Sequence, residues 1–495
     1  MQTLIPQPAT ATAKPLGKTG RVLGFGLTPL ALLLIAAGLL MAIPAFFHIR
    51  RIGFMLGWDA LLAVLILIDA LRLPRPEDFT ITRSFIDSPQ LGQPTRIELA
   101  VRMESDAVLD VRLVDDLHSA LVAAPTEQRL EVFPREEVVS AATIYPSQRG
   151  DFALGRVFLR YRGAFRLVER WAAAEPVVKT LGGDEPHKPQ RVRVFPAHED
   201  SRERTQFYLL RARQIEMQKR KLRLRGVGRE FESMRDYQQG DELRNVSWTA
   251  TARRGKLVTR QFTVERSQQV WMVLDAGRLS RTAFEVKRDS TEAFAETTSE
   301  REAAHLLTVT QLDQAATAAT MLAQVINGSG DKFGLMAYGR DVQQLLPPGA
   351  GASHVRLMID LLSQTRSEAS EADHLNAVAR LKTAQRRRGL IVWITELVDS
   401  AGRPELVTAA SELVRRHLVV LVLLKHPELD ELAARTPKIS SEMFHTAAAQ
   451  EMLERRRETI AQLERQGVLI VETTAAEVGM RAVSKYLEVK ASGLL

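Results

Sequence analysis

The sequence predicts a multi-domain chain in which an apolar helical hairpin precedes an all-β sandwich and a doubly wound α/β domain. Three patterns predict it. The run Val22–Phe47 carries no charged residue. Across residues 76–200, apolar and polar residues alternate with the period of two expected of half-buried strands. From Val270 onward, short all-apolar runs alternate with helical patterns, as in a parallel sheet covered on both faces.

The 495 residues suffice for two or three soluble domains and an anchor. A hydrophobic share of 45% with 25% charged residues excludes a wholly disordered chain. The chain has no cysteine, which excludes disulfide scaffolds, thiolate metal sites and a cysteine nucleophile. Its formal charge of +8 suits membrane lipids or an acidic partner. Five Trp and six Tyr are too scattered for a base-stacking platform, so no nucleic-acid partner is expected.

Residues 1–21 read as a polar tail and 22–72 as two transmembrane helices. Val22–Phe47 exceeds the roughly 20 residues a span needs, with Pro29 and Pro44 near its ends. His48, Arg50 and Arg51 form the turn, and Gly53–Leu71 is the second span. Asp69 lies near enough to its end to reach the interface. Asp59 lies about two turns in, either neutral or facing the first helix. A cleaved signal peptide is the rival reading, opposed by the length of the run and the second run behind it. Lys14, Lys18, Arg21, Arg72 and Arg75 favour both tails in the cytoplasm by a small margin over Arg50 and Arg51.

Residues 76–200 form the sandwich, on the alternation in "RIELAVRME", "VFLRYR" and "RVRVFP". Strands at this spacing suggest an immunoglobulin-like type. Gly182–Gln190 is a linker by composition. Residues 201–268 hold a basic linker and a signature motif. Residues 211–229 carry eight Lys or Arg against one Glu, read either as a solvated basic helix or as a contact for anionic lipid or an acidic partner.

Residues 269–495 form the α/β domain. "VWMVLD", "KFGLMAY", "GLIVWIT", "LVVLVLL" and "GVLIVET" are its strands, and helices fall near Ala303–Ile326, at "VRLMIDLL" and over Ala447–Gln466. Residues 281–302 read as an inserted loop. Gly226-Val227-Gly228 lacks the Lys-Ser/Thr pair and preceding strand of a phosphate loop.

The most informative stretch is Gly228–Arg266. It sets Gly228, Glu230 and Phe231 before Arg235 and Tyr237, then Gly240, Asp241 and Arg244, then Trp248, Ala252 and Arg253. This run resembles the hallmark of the bacterial family called domain of unknown function 58. Gly240-Asp241 is a turn signal, and Asp241 and Arg244 are close enough to pair. Arg235, Arg244 and Arg253 stand against Glu230, Asp241 and Glu265, either as an ion network docking the segment onto the sheet or as a surface for a partner. The motif holds no His to serve as base, and no Ser–His pair is found, so no catalytic residue is assigned and the chain is read as not an enzyme.

The resemblance implies two membrane helices, a β-rich domain, this motif and a von Willebrand factor A-like domain. Such domains often hold Mg²⁺ at an Asp-x-Ser-x-Ser loop after the first strand, where hard oxygen ligands suit the ion. Here Asp275 matches, but Gly277 and Leu279 stand at the two serine positions and Ser280 is one place out of register. Thr395 and Glu396 stand where Ser-Asp is typical after a later strand. The expectation is a degenerate site at Asp275 and Glu396 with no cofactor, or weakly held Mg²⁺.

The resemblance further implies a non-enzymatic adaptor or co-chaperone working with a MoxR-type AAA ATPase on other membrane or envelope proteins. The implied location is the cell inner membrane, multi-pass, with cytoplasmic soluble domains. The alternative is a Mg²⁺-dependent adhesion or ligand-binding protein.

Overall fold

The computed structural model describes residues 9–15, 25–40, 43, 52–176, 190–197, 206–214, 230–238, 243, 246–263, 268–286, 307–397 and 405–494. The chain divides into two compact units, Met1–Phe195 with Glu285–Thr308, and Pro196–Phe284 with Val309–Leu495. It is sheet-rich and multi-domain, and each unit has its own core.

The first unit is a sandwich carrying two apolar helices. Its strands are β1 (Ala9–Thr12), β2 (Lys14–Pro15), β3 (Phe25–Leu27), β4 (Phe79–Phe85), β5 (Thr95–Met103), β6 (Leu109–Asp115), β7 (Leu121–Ala124), β8 (Glu127–Val132), β9 (Glu137–Pro146), β10 (Gly150–Ala153), β11 (Val157–Arg162), β12 (Val168–Ala174) and β13 (Arg191–Val194). One sheet runs β1-β4-β5-β9-β7 and the other β2-β12-β11-β6-β8, with β3 also on β12; β10 pairs β13. Strict alternation of burial along β4 and β11 supplies the core, where Phe79, Ile81, Val111, Leu159 and Tyr161 are shielded from solvent. Arg83 crosses that interior to Asp115 and also donates to the Gly155 carbonyl at 3.1 Å. Burial raises the Asp115 carboxyl above its ordinary pKa despite that guanidinium.

The amino-terminal part departs from the sequence reading. Within the expected polar tail, Ala9–Thr12 pairs with β4 and Lys14–Pro15 with β12. Ala9 and Ala13 are fully buried, small enough for chain to lie against chain. The expected first span begins with strand β3, where Gly26 lets the Trp171 ring come within 2.7 Å of where a Cβ would stand. Pro29, with its preset φ, then opens helix α1 (Pro29–Leu40). Helix α2 (Ile52–Arg72) is the one helix among the described residues long and apolar enough to cross a membrane. The 12 residues of α1 fall short of a span, and most of residues 41–51 lie outside those described. Trp58 Nε1 donates to the Leu34 carbonyl at 3.1 Å, and Gly38 lies against Trp58 and Asp59, so Asp59 faces the first helix.

The second unit opens with a hairpin, β14 (Glu230–Asp236) and β15 (Val258–Thr263), antiparallel, with helix α3 (Trp248–Arg254) between them. The wound sheet follows, built from β16 (Gln269–Asp275), β19 (Lys332–Tyr338), β20 (Val342–Gly349), β21 (Leu390–Thr395), β22 (Leu418–Leu424) and β23 (Leu469–Thr473), while β17 (Ala283–Val286) and β18 (Leu307–Thr310) form a separate two-stranded sheet. The order of the wound sheet is β20-β19-β16-β21-β22-β23. All pairs are parallel except β19 with the edge strand β20. Helices α4 (Gln311–Gly328), α5 (Ala352–Gln364) and α10 (Val478–Ser492) cover one face. Helices α6 (His374–Ala384), α7 (Glu405–Val414) and the end of α9 (Ser440–Arg465) cover the other, and α8 (Pro427–Ala434) packs on α9.

Helix α4 starts at Gln311, later than the expected Ala303, because Thr310 caps it: Asp313 N donates to Thr310 Oγ1 at 3.2 Å and Thr310 N to Asp313 Oδ2 at 3.0 Å. The Gly182–Gln190 linker, apart from Gln190, and most of the basic run 211–229 lie outside the described residues.

Candidate functional site at the strand ends

Strand β16 has β19 on one side and β21 on the other, so the winding direction reverses at β16. The crevice outside the carboxyl ends of such strands is the usual ligand position in wound sheets. Asp275 stands there at the end of β16, with Thr395 and Glu396 beside it at the end of β21. The structure thus brings both expected site residues to the same end of the sheet.

The Asp275 carboxylate is engaged on both oxygens. Gly277 N donates to Oδ1 at 2.8 Å, and the Thr395 hydroxyl donates to Oδ2 at 2.6 Å. The Ser280 hydroxyl donates to the Gly277 carbonyl at 2.7 Å. Glu396 Oε1 pairs with His426 Nε2, and Gln311 Nε2 lies 3.5 Å from that nitrogen. The hydrogen bond that His426 donates to Glu396 raises the His426 pKa above its ordinary value, against the opposing effect of burial. The sequence analysis missed His426. Its position directly beyond the apolar run of β22, one strand away from Glu396, was the available signal.

A strap built from residues 366–373 closes over this loop. Glu368 N donates to the Ala276 carbonyl at 2.8 Å, Arg278 N to the Ser370 carbonyl at 2.8 Å, and Asp373 N to the Gly339 carbonyl at 3.0 Å. Backbone donation from Arg340 and side-chain bonds from Gln343 and Ser370 hold the Glu368 carboxyl below its usual pKa. A Cβ at Gly277 would stand 2.8 Å from Ala372 N. The strap thus occupies the space where the expected metal loop carries its first serine side chain. Each Asp275 oxygen thus accepts one hydrogen bond, and Glu396 is engaged by His426. Among the described residues no cluster of three metal-ligating side chains occurs.

Behind Asp275, Trp393 Nε1 donates to the Tyr338 hydroxyl at 2.8 Å, and that hydroxyl meets His374 Nδ1 at 2.8 Å. Burial, reinforced by the Asp275 charge, pushes the Tyr338 pKa far up, so the phenol stays neutral.

One helical arm stands out past the crevice. Arg456 Nη2 donates to the Leu424 carbonyl at 3.0 Å, which sets that point of α9 level with the end of β22. Ser440–Arg455 therefore runs on for about 24 Å at 1.5 Å per residue. Gln450 Nε2 braces it on the Ala433 carbonyl of α8 at 3.0 Å. Ile439, Met443, Phe444 and Met452 are exposed along it, Phe444 at 77%.

The signature motif is described in part. Tyr237 N donates to the Leu257 carbonyl at 2.9 Å, and Arg235 Nη1 to the Asp236 carbonyl at 3.2 Å. Trp248 opens α3 and is 66% exposed, and Arg253 is also exposed. Gly255 closes the helix at φ 65°. Glu230 lies on β14, while Gly240, Asp241, Arg244 and Glu265 lie outside the described residues, and with them most of the expected ion network.

The geometry defines a wound α/β unit joined to a hairpin and preceded by a sandwich with an apolar helix. Residues 233–463 match the family model described as Protein of unknown function DUF58, and this region belongs to that family. An uncharacterized protein of Mycobacterium tuberculosis is 25% identical over 211 residues, covering 42% of this chain. The chain matches 58% of that relative's length. The uncharacterized protein YeaD of Bacillus subtilis is 27% identical over 148 residues, 30% of this chain and 29% of its own. Among solved structures, the conserved hypothetical protein BatB from Bacteroides thetaiotaomicron aligns over 46% of this chain and 100% of its own, at 15% identity and a TM-score of 0.30. An immunoglobulin-like protein from Nocardia farcinica aligns over 23% of this chain and 96% of its own, at 14% identity and a TM-score of 0.15. Likenesses at those scores carry no argument about function.

Proposed function

We propose that this chain is a membrane-anchored, non-enzymatic interaction protein. It serves as an adaptor or co-chaperone for a MoxR-type AAA ATPase that assembles or activates membrane or envelope complexes. Its wound unit is von Willebrand factor A-like, with contact in place of the metal chemistry. Helix α2 crosses the inner membrane with α1 packed beside it, and the soluble units face the cytoplasm.

The α8–α9 arm carries this reading. A helix extending about 24 Å past the sheet with Met443, Phe444 and Met452 uncovered leaves apolar surface that a soluble partner buries. The ATPase supplies the nucleotide chemistry.

The test is co-purification of detergent-solubilised full chain with the ATPase. Phe444→Glu and Met443→Glu are each expected to reduce recovery at least tenfold, and Asp241→Ala and Arg244→Ala to weaken it. Full recovery with every variant rejects the adaptor reading. Calorimetry with MgCl₂ separates the alternative: Mg²⁺ binding with a raised melting temperature would favour a metal-dependent adhesion or ligand-binding protein.

A further inference from the structure

The turn joining β11 to β12 is pinned at the root of both apolar helices. Asp69, in the last turn of α2, is 1% exposed and accepts from Phe165 N at 3.2 Å, Leu167 N at 2.9 Å and Val168 N at 3.0 Å. Gly163 makes room for this carboxylate, because a Cβ there would stand 2.3 Å from Asp69 Oδ1. From the other helix, Thr28 N donates to the Leu167 carbonyl at 2.9 Å, and its hydroxyl to the Arg166 carbonyl at 2.6 Å. The joint is stiffened below, where the Tyr161 hydroxyl donates to the Pro74 carbonyl at 2.9 Å and Arg170 Nη1 to the same oxygen at 3.1 Å.

These bonds fix the depth of the turn. Ile52–Ile68 holds a single charge, Asp59, and Arg72 ends the helix, so a bilayer crossed by α2 has its hydrocarbon boundary between Asp69 and Arg72. The turn is tied to that level by three hydrogen bonds. Its outward residues are Ala164, Phe165 and Arg166, and Phe165 is 44% exposed. Leu71 and Leu27 are exposed at the same junction, with the cations of Arg72 and Arg75. Phe and Leu side chains with arginines beside them suit the boundary where acyl chains meet anionic headgroups.

We propose that the Gly163–Leu167 turn is a second membrane contact, in which Phe165 enters the interfacial layer while Arg166 and Arg72 meet the phosphates of anionic lipid. The sandwich is then held at a fixed tilt on the bilayer. The inference rests on the reading of α2 as the membrane span.

Because the chain has no cysteine, single spin labels can be placed in the full-length protein. Labels at Phe165→Cys, at Val64→Cys on α2 and at Val139→Cys on β9 all replace exposed residues. In vesicles of phosphatidylethanolamine and phosphatidylglycerol, collision with a water-soluble nickel complex is expected to be at least threefold lower at 165 than at 139. Oxygen collision is expected to be intermediate between 64 and 139. Equal nickel collision at 165 and 139, with 64 shielded, overturns the inference and leaves α2 in the membrane. Nickel access at 64 equal to that at 139 rejects the span itself and the inference with it. Adding Arg166→Gln is expected to make the 165 label shallower in these vesicles, and an unchanged depth removes the arginine from the contact.

Discussion

Replacing Lys490 with methionine is expected to destabilise the wound unit more than any single change at its strand-end crevice. Lys490 reaches from α10 to Asp331, which stands just ahead of β19, with Nζ 2.8 Å from Oδ2; the side chains are 4% and 1% exposed. The Tyr486 hydroxyl donates to the same oxygen at 2.6 Å, Gln268 N donates to Oδ1 at 3.0 Å, and Nζ also meets the Ser329 carbonyl at 3.0 Å. Methionine retains most of the apolar volume but leaves a buried carboxylate with two neutral donors and no cation. Breaking one partner of a buried pair costs about 3–5 kcal/mol. For a unit of this size 1 kcal/mol corresponds to about 2–4 °C, so the melting temperature should fall by about 6–20 °C. Near-UV circular dichroism follows the loss, since Trp271 and Trp393 are fully buried within this unit. Adding Asp331→Asn removes both charges and is expected to recover most of the deficit. A single variant melting within about 2 °C of the parent, or a double variant worse than the single, would refute the argument.

Three further outcomes follow from the geometry. Gly277→Ser should destabilise the crevice by about 1–3 kcal/mol through overpacking against Ala372, seen as a lower melting temperature; an unchanged value would show that the strap yields. The His426 pKa is raised by Glu396, so the pair's contribution is complete below the unfolded value of about 6.5 and is lost as pH rises through the folded value. The melting difference between parent and His426→Gln should thus be larger at pH 6 than at pH 9. Being half-buried, the pair contributes about 1 kcal/mol or less, and a difference that grows with pH contradicts the assignment. Gly163→Ala should displace the Asp69 carboxylate from its three donors, cost at least about 2 kcal/mol and raise protease cleavage between 163 and 168; a cleavage rate equal to the parent's would count against the joint.

The wound sheet was legible because its strands are buried on both faces and so read as unbroken apolar runs. "VWMVLD", "KFGLMAY", "GLIVWIT" and "LVVLVLL" correspond to β16, β19, β21 and β22 within a residue or two. Edge strand β20 was not legible: Pro347 and Pro348 argue against a strand, and only its edge position tolerates them. The amino-terminal strands were hidden for a different reason. Their partners are 68 to 159 residues away, and four residues of alternating alanine and threonine carry no period strong enough to announce a sheet. Asp69 was read as near enough to the helix end to reach the interface; its burial against backbone donors from the sandwich is a contact that sequence spacing does not encode.

At the crevice, the sequence showed Gly277 and Leu279 where the resemblance implies serines, but not the strap beside them. Asp275 is held by one donor from its own loop and one from β21, while the strap from the far end of α5 lies too close to Gly277 to admit a side chain. Restoring serines at those positions would therefore not by itself rebuild an ion site, because the strap would have to move first. The imidazole of His426 brings a positive charge to Glu396 when protonated.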